Sequence, residues 1–288
     1  MSSGTTTTAH RLALLKLSGL LLSILLLNGC ASLMFFPDRH NYYVPPKLQC
    51  QIDDVVFPSG DLRLHGWWIP ANNQAHGTIL FLHGNAQNIS AHLASVYWLP
   101  EQGFNVFLFD YRGYGQSQGK PDLNGVHQDF QAAMNYLLTR EDIDKGKIVV
   151  FGQSLGATIA INGLAQNPYR SNVRALVVEG AFASYRRVAR EKLNDFWLTW
   201  LFQWPLSFTI PDDIRPVDNI SKLAPTPLLL VHGKTDTVIP AQHALDLYAA
   251  AKEPKDLWLF EDTPHIHAFV NPHNREKLVE YLKQQLSD

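Results

Sequence analysis

The sequence predicts an α/β fold, a mostly parallel eight-stranded sheet with helices on both faces, on three observations. Six short runs are almost wholly apolar, helix-like stretches separate them, and a hairpin signal precedes them all. Strands covered on both faces read as near-continuous hydrophobic runs. Strand followed by helix, repeated, builds a parallel sheet wrapped by helices. In chain order, residues 54–58 and 62–69 flank Ser59-Gly60-Asp61, and the second run alternates apolar and polar before its tryptophans, which predicts an antiparallel pair at one sheet edge. The apolar runs follow at 78–82, 105–109, 148–151, 175–178, 227–231 and 257–260, with helices expected over 91–101, 124–139, 155–166, 241–251 and 272–286.

The chain has 288 residues, 46% hydrophobic and 17% charged, which suits one domain with a large core. A formal charge of -2 with scattered Lys and Arg supplies no basic field for a phosphate backbone, so nucleic acid is excluded as a partner. About 45 residues separate Gly180 from Pro227, far beyond an ordinary βα loop, and they carry the aromatic run FWLTWLFQW from Phe196 to Trp204. This reads as a small helical cap at about 183–222. Thr199 and Gln203 are the polar residues of the run, and their spacing of four predicts a helix apolar on most sides that must be covered.

The first thirty residues have the layout of an export signal. His10, Arg11 and Lys16 precede a leucine-rich run from Leu17 to Leu27, too short to span a bilayer, and the stretch closes on Asn28-Gly29-Cys30. That ending resembles a bacterial lipobox, which implies cleavage before Cys30 and lipidation of its thiol. The alternative is an uncleaved signal anchor; both put the protein outside the cytoplasm. The expected organisation is therefore a signal peptide at 1–29, a short tether at 30–51 and the folded domain at 52–288, held in the cell envelope and facing the periplasm or the exterior. Ala31 resembles the signal for outer-membrane sorting. With Cys30 modified, Cys50 has no intrachain partner.

The run GQSLG, Gly152 to Gly156, matches the nucleophile elbow, in which a serine sits on a sharp strand-to-helix turn. KIVVF before it reads as a buried strand and LGATIAINGLA after it as a helix, the setting the motif requires. The bland reading of Ser154 is a helix N-cap. A serine hydroxyl needs a base and a third group to hold that base in one tautomer. VHGKTDTVIP puts Asp236 just beyond one strand end, and EDTPHIHAF puts His265 and His267 beyond the next. Both loops leave the carboxyl ends of strands, the rim where sites of open sheets assemble. Asp262, Glu261 and Glu179 are the rival acids. In an extended stretch His265 and His267 would face opposite ways, leaving one to meet the serine; His273 is a more distant third. The backbone amides of Leu155, and of Asn85 in HGNA, are the candidate oxyanion donors. His83 and His232, each before a glycine, read as structural. No Cys, His and carboxylate set has metal-ligand spacing, and GYGQSQG lacks the Lys-Ser/Thr ending of a phosphate loop, so neither metal nor cofactor is expected.

Together, FLHGNAQN, FDYRGYGQSQG, VVFGQSLGA, LLLVHGKTDTVIP and EDTPHIHAF resemble the membrane-anchored branch of the α/β-hydrolase superfamily, over roughly residue 36 to the C-terminus. The resemblance implies the α/β-hydrolase fold and the triad Ser154, Asp236 and His265. It selects His265 through the Ala268-Phe269 that follows, although a His stands at 267 where the family usually has Asp, and His267 stays open as the alternative. It also implies that Asp110, Arg112 and Gly113 are structural residues near the site floor. Members act as esterases, thioesterases or peptidases.

The leading expectation is hydrolysis of a small-molecule carboxylic ester or thioester through an acyl-serine. A peptidase or amidase is the enzymatic alternative, for which Arg186, Arg187, Arg190 and Lys192 could anchor a peptide terminus. A catalytically silent envelope binding module is the alternative from another class. Leu33, Met34, Phe35 and Phe36 beside the lipid, with Phe196, Trp197, Trp200 and Trp204 in the cap, suggest a lipophilic substrate; packing of the cap onto the core is the commoner use of such aromatics.

Overall fold

The computed structural model describes residues 35–42, 51–195 and 199–287. Cys30, Leu33, Met34, Cys50, Phe196 and Trp197 lie outside the described residues. Among the described residues one sheet has eight strands: β1 (Asp53–Ser59), β2 (Leu62–Ile69), β3 (Gly77–Leu82), β4 (Phe104–Phe109), β5 (Ile148–Gln153), β6 (Val173–Glu179), β7 (Leu228–Gly233) and β8 (Lys255–Phe260). Their order is β8-β7-β6-β5-β3-β4-β2-β1. β2 pairs antiparallel with both β1 and β4, and the remaining neighbours are parallel.

The continuous apolar runs are explained by the two cores they serve. Alternate side chains of a strand point to opposite faces. Leu80 and Leu82, Val150, Leu176 and Val178 enter one core. Ile79 and Phe81, Val149 and Phe151, Val177 and Leu229 enter the other. The first is closed by α2 (Leu123–Thr139), α3 (Leu155–Ala165) and α7 (Gln242–Ala250), the second by α8 (Pro272–Leu286) and the chain around Trp98.

Three expectations change. The helix expected over 91–101 is a short α1 (Ile89–His92) followed by 3-10 turns at Leu93–Ser95 and Pro100–Gln102. Pro100 has no N–H to give the carbonyl one turn back, so an α-ladder cannot run through it. Phe35, expected beside lipid, is buried in the main core. Phe36 and Pro37 form a parallel bridge with Ala86 and Gln87, which holds the chain's entering segment against the loop after β3.

The segment between β6 and β7 contains α4 (Tyr185–Asp195), a 3-10 turn at Trp200–Phe202, α5 (Gln203–Ser207) and α6 (Pro216–Asn219). The expected covered helix over 196–204 is not what the described residues show: Trp200 and Trp204 are 51% and 55% exposed. Pro205 cannot donate to the ladder, and the chain instead winds as short pieces whose apolar side chains reach the surface. α4 is fastened to α7 by polar contacts. His243 Nε2–H donates to Glu191 Oε2 at 2.8 Å, and Arg187 pairs with both Glu191 and Asp246.

Candidate active site

Ser154 occupies the turn between β5 and α3 with φ +54°, a left-handed conformation that a non-glycine residue adopts only when its surroundings impose it. Those surroundings are visible. A Cβ on Gly156 would lie 2.2 Å from the carbonyl oxygen of Leu82, so only a glycine lets α3 start against the end of β3. The Ser154 N–H donates to the Glu179 carbonyl at 2.8 Å, tying the turn to the end of β6. The elbow thus stands on the carboxyl-end rim, with its backbone held by both neighbouring strands.

Asp236 and His265 come to the same rim from the loops after β7 and β8. Asp236 Oδ1 accepts the N–H groups of Val238 and Ile239, each at 2.8 Å, and Oδ2 lies 2.7 Å from His265 Nδ1. Burial pushes the Asp236 carboxyl up, but the hydrogen bond and charge of His265 and the two backbone donors outweigh it and hold the carboxyl below its usual value. An ionised carboxylate only accepts, so Nδ1 carries a proton, and the tautomer this selects has its lone pair on Nε2. The ring rests over Gly180: a Cβ there would come 3.0 Å from Cε1 and 3.2 Å from Nδ1. Gly180 directly follows the carbonyl that holds Ser154.

The expectation that an extended stretch separates the two histidines is corrected. Ile266 has φ +50°, so the chain turns between them. His265 faces Asp236, whereas His267 is exposed with its Nδ1 2.6 Å from the His265 carbonyl. The rival acids have other partners. Glu261 is exposed and pairs with Lys234, and Asp262 is exposed. Glu179 is fully buried, accepting from Gln153 Nε2 at 2.7 Å and from the Ala268 N–H at 2.8 Å. Burial pushes its carboxyl up, partly offset by those two donors and by the charges of His265 and His267. It joins the residue before the nucleophile to the histidine loop. The sequence marks Glu179 only as a strand-end carboxylate, and nothing local in it reveals this tie.

The loop from His83 to Gln87 borders the serine: a Cβ on Gly84 would lie 3.7 Å from Ser154 Cβ. Tyr114 O–H donates to the Asn85 carbonyl at 2.8 Å, and Asp110 Oδ1 accepts from the Ile89 N–H at 2.9 Å. The YRGYG run is therefore a brace for this loop. Arg112 serves it at one remove, by pairing with buried Asp129 at 2.8 Å. His83 Nδ1–H donates to the Gly84 carbonyl and His232 Nε2–H to the Ile239 carbonyl, and burial pushes both rings down in pKa, so both are neutral structural groups. The Leu155 amide is the first of α3, where helix N–H groups have no intrahelical partner. His273 is exposed beside Glu276, at the start of α8. Of the arginines and the lysine on α4, Arg187 is engaged by Glu191 and Asp246, Arg186 by the Ile210 carbonyl, and Lys192 by Asp195. Among the described residues no cluster of His, Cys, Asp and Glu could hold a metal ion.

Residues 73–214 match the Hydrolase_4 family, described as serine aminopeptidase, S33. The human α/β hydrolase domain-containing protein 17B is 30% identical over 226 residues, which span 78% of this chain and 72% of that protein. The chain belongs to the α/β-hydrolase family. Within it, the uncharacterized protein YfhR of Escherichia coli K12 is 38% identical over 262 residues, spanning 88% of this hydrolase and 87% of YfhR. A solved structure of the Pyrococcus furiosus esterase Pf2001 superposes with a TM-score of 0.71 at 26% identity, covering 88% of this hydrolase and all of that chain.

Proposed function

We propose that this α/β hydrolase cleaves carboxylic esters or thioesters through an acyl-serine intermediate. The observation that carries the reading is the 2.7 Å pair of His265 and Asp236 over Gly180, one residue from the carbonyl that fixes the strained Ser154 turn. His265 Nε2 takes the proton from Ser154 Oγ as Oγ bonds to the acyl carbon, and the carbonyl electron pair moves onto oxygen. The amides of Leu155 and Asn85 are the donors for that oxyanion. Collapse expels the alkoxide or thiolate, which leaves with the proton held on His265, and water then repeats the sequence on the acyl-serine. Every proton and electron pair is accounted for by these residues and water. The likeness to the esterase Pf2001 supports esters as the substrate class.

A second reading, peptidase or amidase activity, is favoured by the serine aminopeptidase description of the matching family. The commitment of Arg187 and Arg186 to internal partners argues against a free cationic anchor for a peptide terminus. The test compares p-nitrophenyl esters with aminoacyl p-nitroanilides on wild type and Ser154→Ala. Serine-dependent ester turnover well above anilide turnover is expected. The reverse preference selects the peptidase, and failure of a fluorophosphonate to label Ser154 selects a silent binding module.

For location, we propose a lipid anchor on Cys30 in the cell envelope, facing the periplasm or exterior, from the leucine-rich run ending in Asn28-Gly29-Cys30. Among the described residues no helix is long and apolar enough to cross a membrane. Three acyl chains would make such a tether effectively permanent. Mass spectrometry of the membrane fraction should find a lipidated N-terminus at Cys30, and an unprocessed precursor in Cys30→Ser. Residues before Cys30 in the mature wild type would refute the anchor.

A further inference from the structure

Two groups of exposed apolar side chains belong to chain that meets the carboxyl end of the sheet. Phe36, 62% exposed, is held beside Ala86 at the carboxyl end of β3. Trp200, Leu201, Phe202, Trp204 and Phe208, all more than half exposed, lie in the segment that leaves the carboxyl end of β6. In the sheet, β5 lies between β3 and β6, and Ser154 stands at its end. With strands about 4.8 Å apart, the ends of β3 and β6 are separated by about 10 Å. The two groups of apolar side chains therefore belong to chain that meets the carboxyl ends of the strands on either side of β5, the strand that ends at Ser154.

Cations accompany these aromatics. The Arg190 guanidinium lies 4.2 Å from the centre of the Trp204 ring and that of Arg186 5.4 Å from the Phe208 ring. Rings with an apolar body beside cationic groups suit the boundary between acyl chains and anionic headgroups. The chain supplies a second, independent pointer. Cys30, the proposed lipid attachment, lies five residues before Phe35, and the chain from it joins the fold at the rim that holds Phe36. The proposed Cys30 anchor and the exposed aromatics thus address the same end of the sheet.

We infer that the carboxyl-end rim, with Phe36 on one side of Ser154 and Trp200, Trp204 and Phe208 on the other, docks on an anionic phospholipid bilayer and turns the mouth of the site toward it. The surface does not depend on what the serine does, but with the proposed chemistry it gives acyl chains a route from the bilayer to Ser154. It also accounts for aromatics left outside the core in a segment otherwise fastened to α7.

The test uses the full-length protein in phosphatidylcholine vesicles with and without phosphatidylglycerol, carrying bromine shallow in the acyl chains, with tryptophan fluorescence as readout. Trp67, Trp68 and Trp98 are buried and should contribute little quenching. Wild type should be quenched, and Trp200→Gln/Trp204→Gln, shown by circular dichroism to be folded, should lose at least half of the quenched signal. Ser154→Ala should be quenched like wild type, so failure of the hydrolase reading would leave docking standing, and the converse. Should the double variant not fold, Arg190→Glu keeps both tryptophans, and it should be quenched less than wild type on vesicles containing phosphatidylglycerol. No quenching of wild type, an undiminished signal in the folded double variant, or equal quenching of Arg190→Glu and wild type would overturn the proposal. So would a detergent-solubilised wild-type dimer that the double substitution dissociates, because a second copy would then cover the rings.

Discussion

Replacing Asp236 by Asn isolates what the carboxylate does for His265. Asp236 Oδ1 accepts two backbone N–H groups at 2.8 Å, and Oδ2 faces His265 Nδ1 at 2.7 Å. If the Asn amide kept its oxygen on the backbone donors, its NH2 would meet Nδ1, and the imidazole proton would have to move to Nε2. If the amide flipped, two N–H groups would lose their acceptor at about 1–3 kcal/mol each, so the first arrangement wins. A proton on Nε2 deprives Ser154 of its base. Such a tautomer change costs about 10⁴ in kcat in a serine triad, or about 5.5 kcal/mol of barrier. We expect kcat on a p-nitrophenyl ester to fall by about 10³–10⁴ with KM little altered, a smaller loss than the about 10⁶ expected for Ser154→Ala or His265→Ala. Circular dichroism should show the fold intact. Activity within tenfold of wild type in a folded variant would refute the role given to Asp236.

Two further outcomes follow from the geometry. Gly180→Ala forces a side chain onto φ +65° and brings a Cβ to 3.0 Å from His265 Cε1. It should lower stability by about 1–2 kcal/mol and kcat at least tenfold, since small misplacements of a base are costly; activity within twofold of wild type would show that the ring does not rest there. His243, buried and accepting the Ala183 N–H at 3.0 Å on Nδ1, has its pKa pushed down by burial, only partly offset by Glu191. The unfolded chain binds that proton more readily, so stability is full above about pH 6.5 and falls as pH drops toward the lowered folded value, by up to about 1.4 kcal/mol per pH unit. Urea unfolding between pH 5 and 8 should show this slope, reduced by one proton in His243→Phe; an unchanged slope would contradict it.

Much of the sheet is legible in the sequence because each central strand serves two cores at once, so Ile79 to Leu82 or Val149 to Phe151 cannot carry a polar break. The serine is legible through its glycines: Gly152 and Gly156 stand where backbone meets backbone, and no other residue fits. Local pattern fails where the deciding contact is distant. Periodicity over 91–101 ignores what Pro100 withholds from the ladder, and the run at 196–204 suggests burial while the fold brings Trp200 and Trp204 to the surface. The turn at Ile266 decides which histidine meets Asp236, and a φ of +50° is one that a β-branched residue does not advertise. Glu179 is the plainest case. Its partners, Gln153 and the Ala268 N–H, lie 26 and 89 residues away, so its tie between elbow and histidine loop exists only once the sheet has formed.

The central claim is that Ser154 and His265 act as one chemical unit, and a double-mutant cycle tests it most directly. Initial rates on a p-nitrophenyl ester would be measured for wild type, Ser154→Ala, His265→Ala and the double variant, each shown by circular dichroism to be folded. Each single change should lower kcat/KM by about 10⁶, with the double variant losing no more than either alone. Losses that multiply, or a Ser154→Ala variant that still turns over ester at a rate near wild type, would contradict the account.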